Sequence, residues 1–233
     1  MEKIICALWK AAGESREEFN ARLCADVTAQ LRAIGAERMR LNIEDGHTAP
    51  AAALRQSRGE AQHDALLQFW LPNAHGPFWE SIGRVLSQAA DRWAAWLVLE
   101  ATIIPNDDYP AKPGQRSFGW SQTAFLTLPK GMAQEDWRRI WQEDHTRVAV
   151  ETQANFEYVQ NLVIRPLTPD APPYVAIVEE CFPDAAMTDP LAFFDAVGDK
   201  AKFKRNLDQM MASCDRFIAR GTIDVIPTSQ YNF

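Results

Sequence analysis

Hydrophobic positions along the chain follow two periods, and the two alternate in an ordered way. Residues 2–10 form an almost unbroken apolar run that stops at Ala11-Ala12-Gly13, the pattern of a buried strand. Ser15-Arg16-Glu17-Glu18 then reads as a capping box, and Phe19, Leu23, Val27 and Leu31 line one helix face until Gly35. Met39, Leu41 and Ile43 alternate, as on a half-buried strand. After a polar, Ala- and Gly-rich stretch at 44–63, read as a long and partly mobile loop, come a strand over 65–71, a helix over 77–91 and a strand over 93–104. The order is β-α-β-β-α-β, that of a ferredoxin-like module.

Residues 106–115 hold two Pro, one Gly and two Asp, which marks a linker. Beyond it the order repeats. The pattern predicts strands over 120–128, 156–164, 174–182 and 222–226, a helix over 134–152 and helical material over 190–219. Offsets of 118, 111 and 122 residues superpose parts of the two halves. The first sets Leu8 over Leu126 and Leu41 over Val159, the second Ala65-Leu66-Leu67 over Ala176-Ile177-Val178, the third Ile104-Pro105 over Ile226-Pro227. The expected fold is α+β, with modules at 1–110 and 111–233. A four-stranded sheet covered by helices on one side leaves its other face bare, so the two sheets are expected to pack face to face as an intrachain α+β barrel.

Composition narrows the function classes. A net charge of −7 without a basic stripe argues against nucleic acid. No apolar run approaches the length of a membrane span, and the N-terminal residues lack a signal-peptide pattern, so a cytoplasmic protein is expected. The four Cys are scattered without CxxC spacing, and no HxH, HExxH or DxD cluster occurs, so neither a disulfide framework nor a metal site is expected. Nor is there a phosphate loop, a GxGxxG after a strand or a GxSxG elbow. Eight Trp and twelve Phe supply material for a core and for a pocket that takes flat apolar ligands.

Chemistry concentrates in the predicted helix over 134–152. Trp137, Trp141 and His145 are four residues apart and share its core-facing side, where Leu or Ile would pack without a polar nitrogen to satisfy. At the equivalent positions the first half has Phe19, Leu23 and Val27, all apolar. The helix Trp137-x3-Trp141-x3-His145, followed by Tyr158-Val159-Gln160-Asn161, resembles the EthD family of dimeric α+β barrel proteins. That resemblance covers roughly residues 118–166. It implies ferredoxin-like modules paired through their sheets, a pocket between the first helix and its sheet, and a loose link to oxidative catabolism of aromatic, polyketide-type intermediates.

The candidate site is therefore placed in the second half, with the first as scaffold. His145 is read as a general acid or base, or else as a core histidine bonded to backbone. Trp137 and Trp141 are read as core that also walls the pocket. Tyr158 and Asn161 have opposite parity on their strand, so only one faces the helix cleft and the other the barrel interior. His47, His63, His75 and Tyr109 read as surface groups. The expected partner is a small apolar or aromatic ligand, with no cofactor required and a homodimer possible beyond the internal pair. A non-catalytic carrier and a haem protein with a helical His ligand are the alternatives.

Overall fold

The computed structural model of the chain describes residues 1–59 and 61–233. Its first strand shows how the pattern becomes structure. Along β1 (Glu2–Trp9), Ile4, Cys6 and Leu8 face the helices while Ile5 and Ala7 face the opposite side. Ser15 caps helix α1 as its motif requires: Oγ accepts from Glu18 N at 3.2 Å, and Glu18 Oε2 accepts from Ser15 N at 3.0 Å. Helix α1 (residues 16–33) widens into a π-helical turn at Leu23–Val27 and ends before Gly35, whose φ of +96° turns the chain toward β2 (Glu37–Ile43). Next come β3 (Ala65–Leu71), α2 (Gly76–Ala89) and β4 (Arg92–Ile104). The predicted loop before β3 includes a 3-10 turn at Ala49–Leu54.

The second half contains β5 (Trp120–Thr127), α3 (residues 134–152), β6 (Glu157–Pro166), β7 (Tyr174–Phe182), the short helix α4 (Pro190–Phe193), α5 (Lys200–Cys214) and β8 (Asp224–Asn232). Helix α3 also widens into a π-helical turn, at Ile140–His145. The predicted helical run over 190–219 is thus two helices, capped separately by Asp189 and Asp199.

All eight strands form one closed antiparallel barrel in the order β1-β3-β2-β8-β5-β7-β6-β4. The two four-strand blocks therefore meet edge to edge as well as face to face. β2 pairs with β8 from Arg40↔Asn232 to Ile43↔Ser229, and β4 pairs with β6 from Trp96↔Pro166 to Ile104↔Tyr158. Hydrogen bonding at both seams removes every free edge, which packing alone would leave open.

Register corrects two of the sequence offsets. β8 does not stop at Pro227 but continues to Asn232. Val225 exchanges backbone hydrogen bonds with Gln56, so two residues on, the position where Pro227 lacks an N–H also points away from β5, short of the β2 ladder that begins at Ser229. The pairs Lys3↔Val98 and Ser121↔Thr228 are equivalent, which makes the last-strand offset 130 rather than 122. Leu41 packs on the helices, whereas Val159 lies on the same face as Glu157 and Asn161, toward the barrel interior, so those two are not equivalent.

Inside the barrel, Ile5, Leu66, Trp96, Phe125, Ile177 and Ile226 form an apolar cluster. Beside it lies a polar layer built on Glu179, which accepts from Arg40 (2.9 Å), Asn42 (2.5 Å), Gln68 (2.9 Å) and Gln230 (2.9 Å). His63, expected at the surface, is buried against Phe125 with ring centroids 4.8 Å apart. Burial pushes its imidazole down to about 3.

Candidate functional site

The helix layer of the second half does not seal against its sheet. A cavity of about 410 Å³ separates α3 and α5 from the helix-facing side of β5–β8. Apolar walls come from Ala124 and Leu126 of β5, Val178 of β7 and Met210 of α5, and Phe217 closes one side. In the first half the corresponding space is filled. Phe19, Leu23 and Val27 are buried there in one cluster with Ile82 and Leu86 of α2.

Of the three aromatic positions on α3, two reach the cavity. Trp141 and His145 line it. Trp137 is fully buried behind them, with its ring 5.1 Å from that of Trp141 and its Nε1 donating to Phe217 O at 3.1 Å. The π turn sets this arrangement, because the amide of Thr146 reaches back five residues to Trp141 O. His145 Nδ1 lies 3.0 Å from Ser213 Oγ, and its ring centroid is 4.6 Å from that of Phe217. Burial lowers its pKa to about 4, so the imidazole is neutral at neutral pH. Among the described residues, nothing bonds its Nε2.

Parity separates Tyr158 from Asn161, as expected. Tyr158 lines the cavity, and its hydroxyl accepts from Gln160 Nε2 at 2.8 Å and is also hydrogen-bonded to the Thr146 side chain. Burial raises its pKa. Asn161 shares the interior face of β6 with Glu157 and gives its amide to Ile177 O at 3.1 Å. It is not part of this cavity.

Glu180 was missed by the sequence reading. It projects from β7 into the cavity, with Asn155 Nδ2 donating to Oε1 at 3.1 Å and Gln122 Nε2 donating to Oε2 at 3.2 Å. Burial drives its pKa up, the two amides pull it partly back, and it settles at about 7. The signal was available: Glu179-Glu180 is a pair of adjacent carboxylates within an otherwise apolar strand, so each barrel face must receive one. Cys214 also lines the cavity, its thiol pushed up to about 12 by burial. Among the described residues no group of three His, Cys, Asp or Glu is arranged to hold a metal ion. Among the described residues no helix is long and apolar enough to cross a membrane.

Residues 129–220, which supply α3, β6, β7 and α5, match the family model of the EthD domain. The likeness to the EthD domain is thus confined to this part of the second half. No curated protein matches it. Among solved structures it is similar to an anthrone oxidase-like protein, with 11% identity, a TM-score of 0.55 and coverage of 100% of this chain and 91% of the other. It is also similar to a candidate monooxygenase from Lactobacillus acidophilus, with 10% identity, a TM-score of 0.49 and coverage of 99% and 93%. At such identities the first likeness speaks for the fold.

Proposed function

We propose that the chain is an EthD-type enzyme that encloses a small aromatic or otherwise apolar molecule in the cavity under α3. His145 assists proton transfer or a cofactor-free oxidation there. One observation carries this reading: a cavity of about 410 Å³, walled by Ala124, Leu126, Trp141, Val178, Met210 and Phe217, brings His145, Tyr158 and Glu180 to one space. A neutral imidazole with Nδ1 tied to Ser213 presents Nε2 as an acceptor or donor. Trp141 and Phe217 supply flat walls for an aromatic ring. The EthD match and the anthrone oxidase-like neighbour support the oxidative branch of the reading.

The scaffold is read as two ferredoxin-like modules in tandem, 1–110 and 111–233, the first with its site filled by side chains. Strand order β4-β1-β3-β2 in one half and β8-β5-β7-β6 in the other supports this, as do π turns at Leu23–Val27 and Ile140–His145. We place the protein in the cytoplasm, acting on its ligand without nucleic acid or membrane as a partner, either alone or as a homodimer.

Mass spectrometry of small molecules released from freshly purified protein tests the pocket. The native chain should release an apolar species that a cavity-filling Met210→Trp variant lacks. Identical release from both would sink the reading. Incubation of that species with the native chain and with His145→Ala then separates the two roles. An enzyme converts it and loses turnover in the variant, whereas a carrier returns it unchanged from both.

A further inference from the structure

Proton transfer in an apolar cavity also needs a group that takes up the proton near neutral pH, and His145 serves better as the neutral hydrogen-bonding partner than as that base. Its imidazole is neutral, but burial makes it a weak base. A second group on the opposite wall has the complementary properties. Glu180 lies on β7, in the sheet that floors the cavity, facing the helices that roof it. Each of its oxygens already accepts one amide hydrogen bond, from Asn155 and from Gln122, so the carboxylate is held in place with lone pairs to spare. Neither donor is a cation. A carboxyl buried only for structure is ordinarily paired with Arg or Lys, as the neighbouring Glu179 is with Arg40 on the other face of the same strand. The first half has no counterpart, since at an offset of 111 the residue matching Glu180 is Phe69, which is buried in that half's core.

We propose that Glu180 is a catalytic residue of this site, the base that removes a proton from an apolar ring ketone at the carbon beside its carbonyl. The inference rests on the pocket reading given above and adds the substrate class and the base. In the step, the C–H bond breaks and its electron pair forms the C=C bond of an enolate. The carbonyl π electrons move onto oxygen, and the proton ends on a Glu180 oxygen. Nothing is oxidised or reduced. The Tyr158 hydroxyl, held between Gln160 and Thr146 and paired with Glu180 across β6 and β7, turns its O–H from Thr146 to the enolate oxygen. Return of the proton from Glu180 restores the ketone, or gives an isomer when it is delivered to another carbon.

The other titratable groups around the cavity leave this role to Glu180. Tyr158 from β6 and Cys214 from α5 are both pushed toward their neutral forms by burial. Asp215, Arg220 and His145 complete the set. A carboxyl poised at about 7 is half ionised at neutral pH, which suits a base that must be regenerated each cycle.

The test uses 2-tetralone, an apolar bicyclic ketone with acidic C–H bonds beside its carbonyl, and the full chain in D₂O. Binding is followed by quenching of tryptophan fluorescence, and exchange of the acidic hydrogens for deuterium by proton NMR. The native chain should accelerate exchange over buffer, with a rate that rises with pH to a plateau above about 7. Glu180→Gln should bind within about threefold of native yet lose about a hundredfold or more of the exchange rate. Asn155→Ala, which removes one donor to the carboxylate, should move the midpoint of the rate profile to higher pH. Bound ketone with no accelerated exchange, exchange that survives in Glu180→Gln, or a midpoint unmoved by Asn155→Ala overturns the assignment of the base. Failure of the ketone to bind at all overturns the pocket reading, and this inference with it.

Discussion

At the scale of single residues, Glu180 makes a stability prediction with an unusual sign. Its folded pKa of about 7 lies above the ordinary 4.5 of a glutamate, because burial disfavours the charge. A raised carboxyl contributes fully to stability below its unfolded value, and that contribution is lost as pH rises through the folded value. The span corresponds to about 3 kcal/mol between pH 4 and pH 9. Glu180→Gln keeps the volume and removes the charge, so it should be neutral or slightly destabilising at pH 4. At pH 9 it should be stabilising, by about 2 kcal/mol after allowing for one imperfect amide contact. Urea denaturation at the two pH values checks this, and a stability difference that does not change with pH would falsify the buried-charge account. Such a gain at the expense of activity is what a functional carboxylate shows when removed. Residue type and parity made part of this site legible. His145 and Trp141 stood out on α3, and alternation separated Tyr158 from Asn161. Glu180 escaped because alternation alone sends one of two adjacent carboxylates to each face without saying which face holds the cavity. His63 escaped because its burial depends on Phe125, a residue 62 positions away that local pattern does not connect to it.

At the scale of elements, the four-residue spacing of Trp137, Trp141 and His145 was read as a regular helix. The helix was right and its pitch was not. Nothing in the local composition announces a π turn, since i→i+5 bonding is a compromise between two packed flanks rather than a preference of the residues within it. The first half has the same feature, with Thr28 N bonded to Leu23 O as Thr146 N is to Trp141 O. A π turn amounts to one extra residue in an α-helix, so its removal should leave both flanks in phase. Deleting the exposed Glu143 should therefore keep Trp137 and Ala149 seated in the core while turning Trp141 and His145 away from the cavity. The expected result is native far-UV circular dichroism with affinity for an aromatic probe reduced about tenfold or more. Unchanged affinity would mean that the π turn does not set the site. Strand ends were legible where proline followed the last paired residue, as after Ile104. They were misread at Pro227, whose missing N–H falls in a gap between two pairing partners.

At the scale of the whole molecule, the mixed α+β character and the barrel were legible, but its seams were not, because the order of strands along the chain does not say which edges pair. The barrel's closure brings together charges from both halves: Arg40 of β2 bridges Glu157 of β6 (2.7 Å) and Glu179 of β7 (2.9 Å). Burial alone would raise the Glu179 carboxyl, but Arg40 and the amides of Gln230 and Asn42 override it and hold it below the usual range. Its contribution is therefore present above the ordinary glutamate value and lost as pH falls through the folded one. Two consequences separate the partners. Glu179→Gln leaves Arg40 paired with Glu157, so the loss should be about 1–2 kcal/mol at pH 7. Arg40→Met leaves two carboxylates buried in one interior without a cation, and should cost about 3–5 kcal/mol at pH 7. That larger loss should shrink as the pH is lowered toward 4, because protonation of Glu179, no longer held down by Arg40, relieves it. Urea titrations of both variants at pH 7 and pH 4 decide the matter. Equal losses that ignore pH would mean that apolar packing, and not this ion triad across the barrel interior, holds the two halves in register.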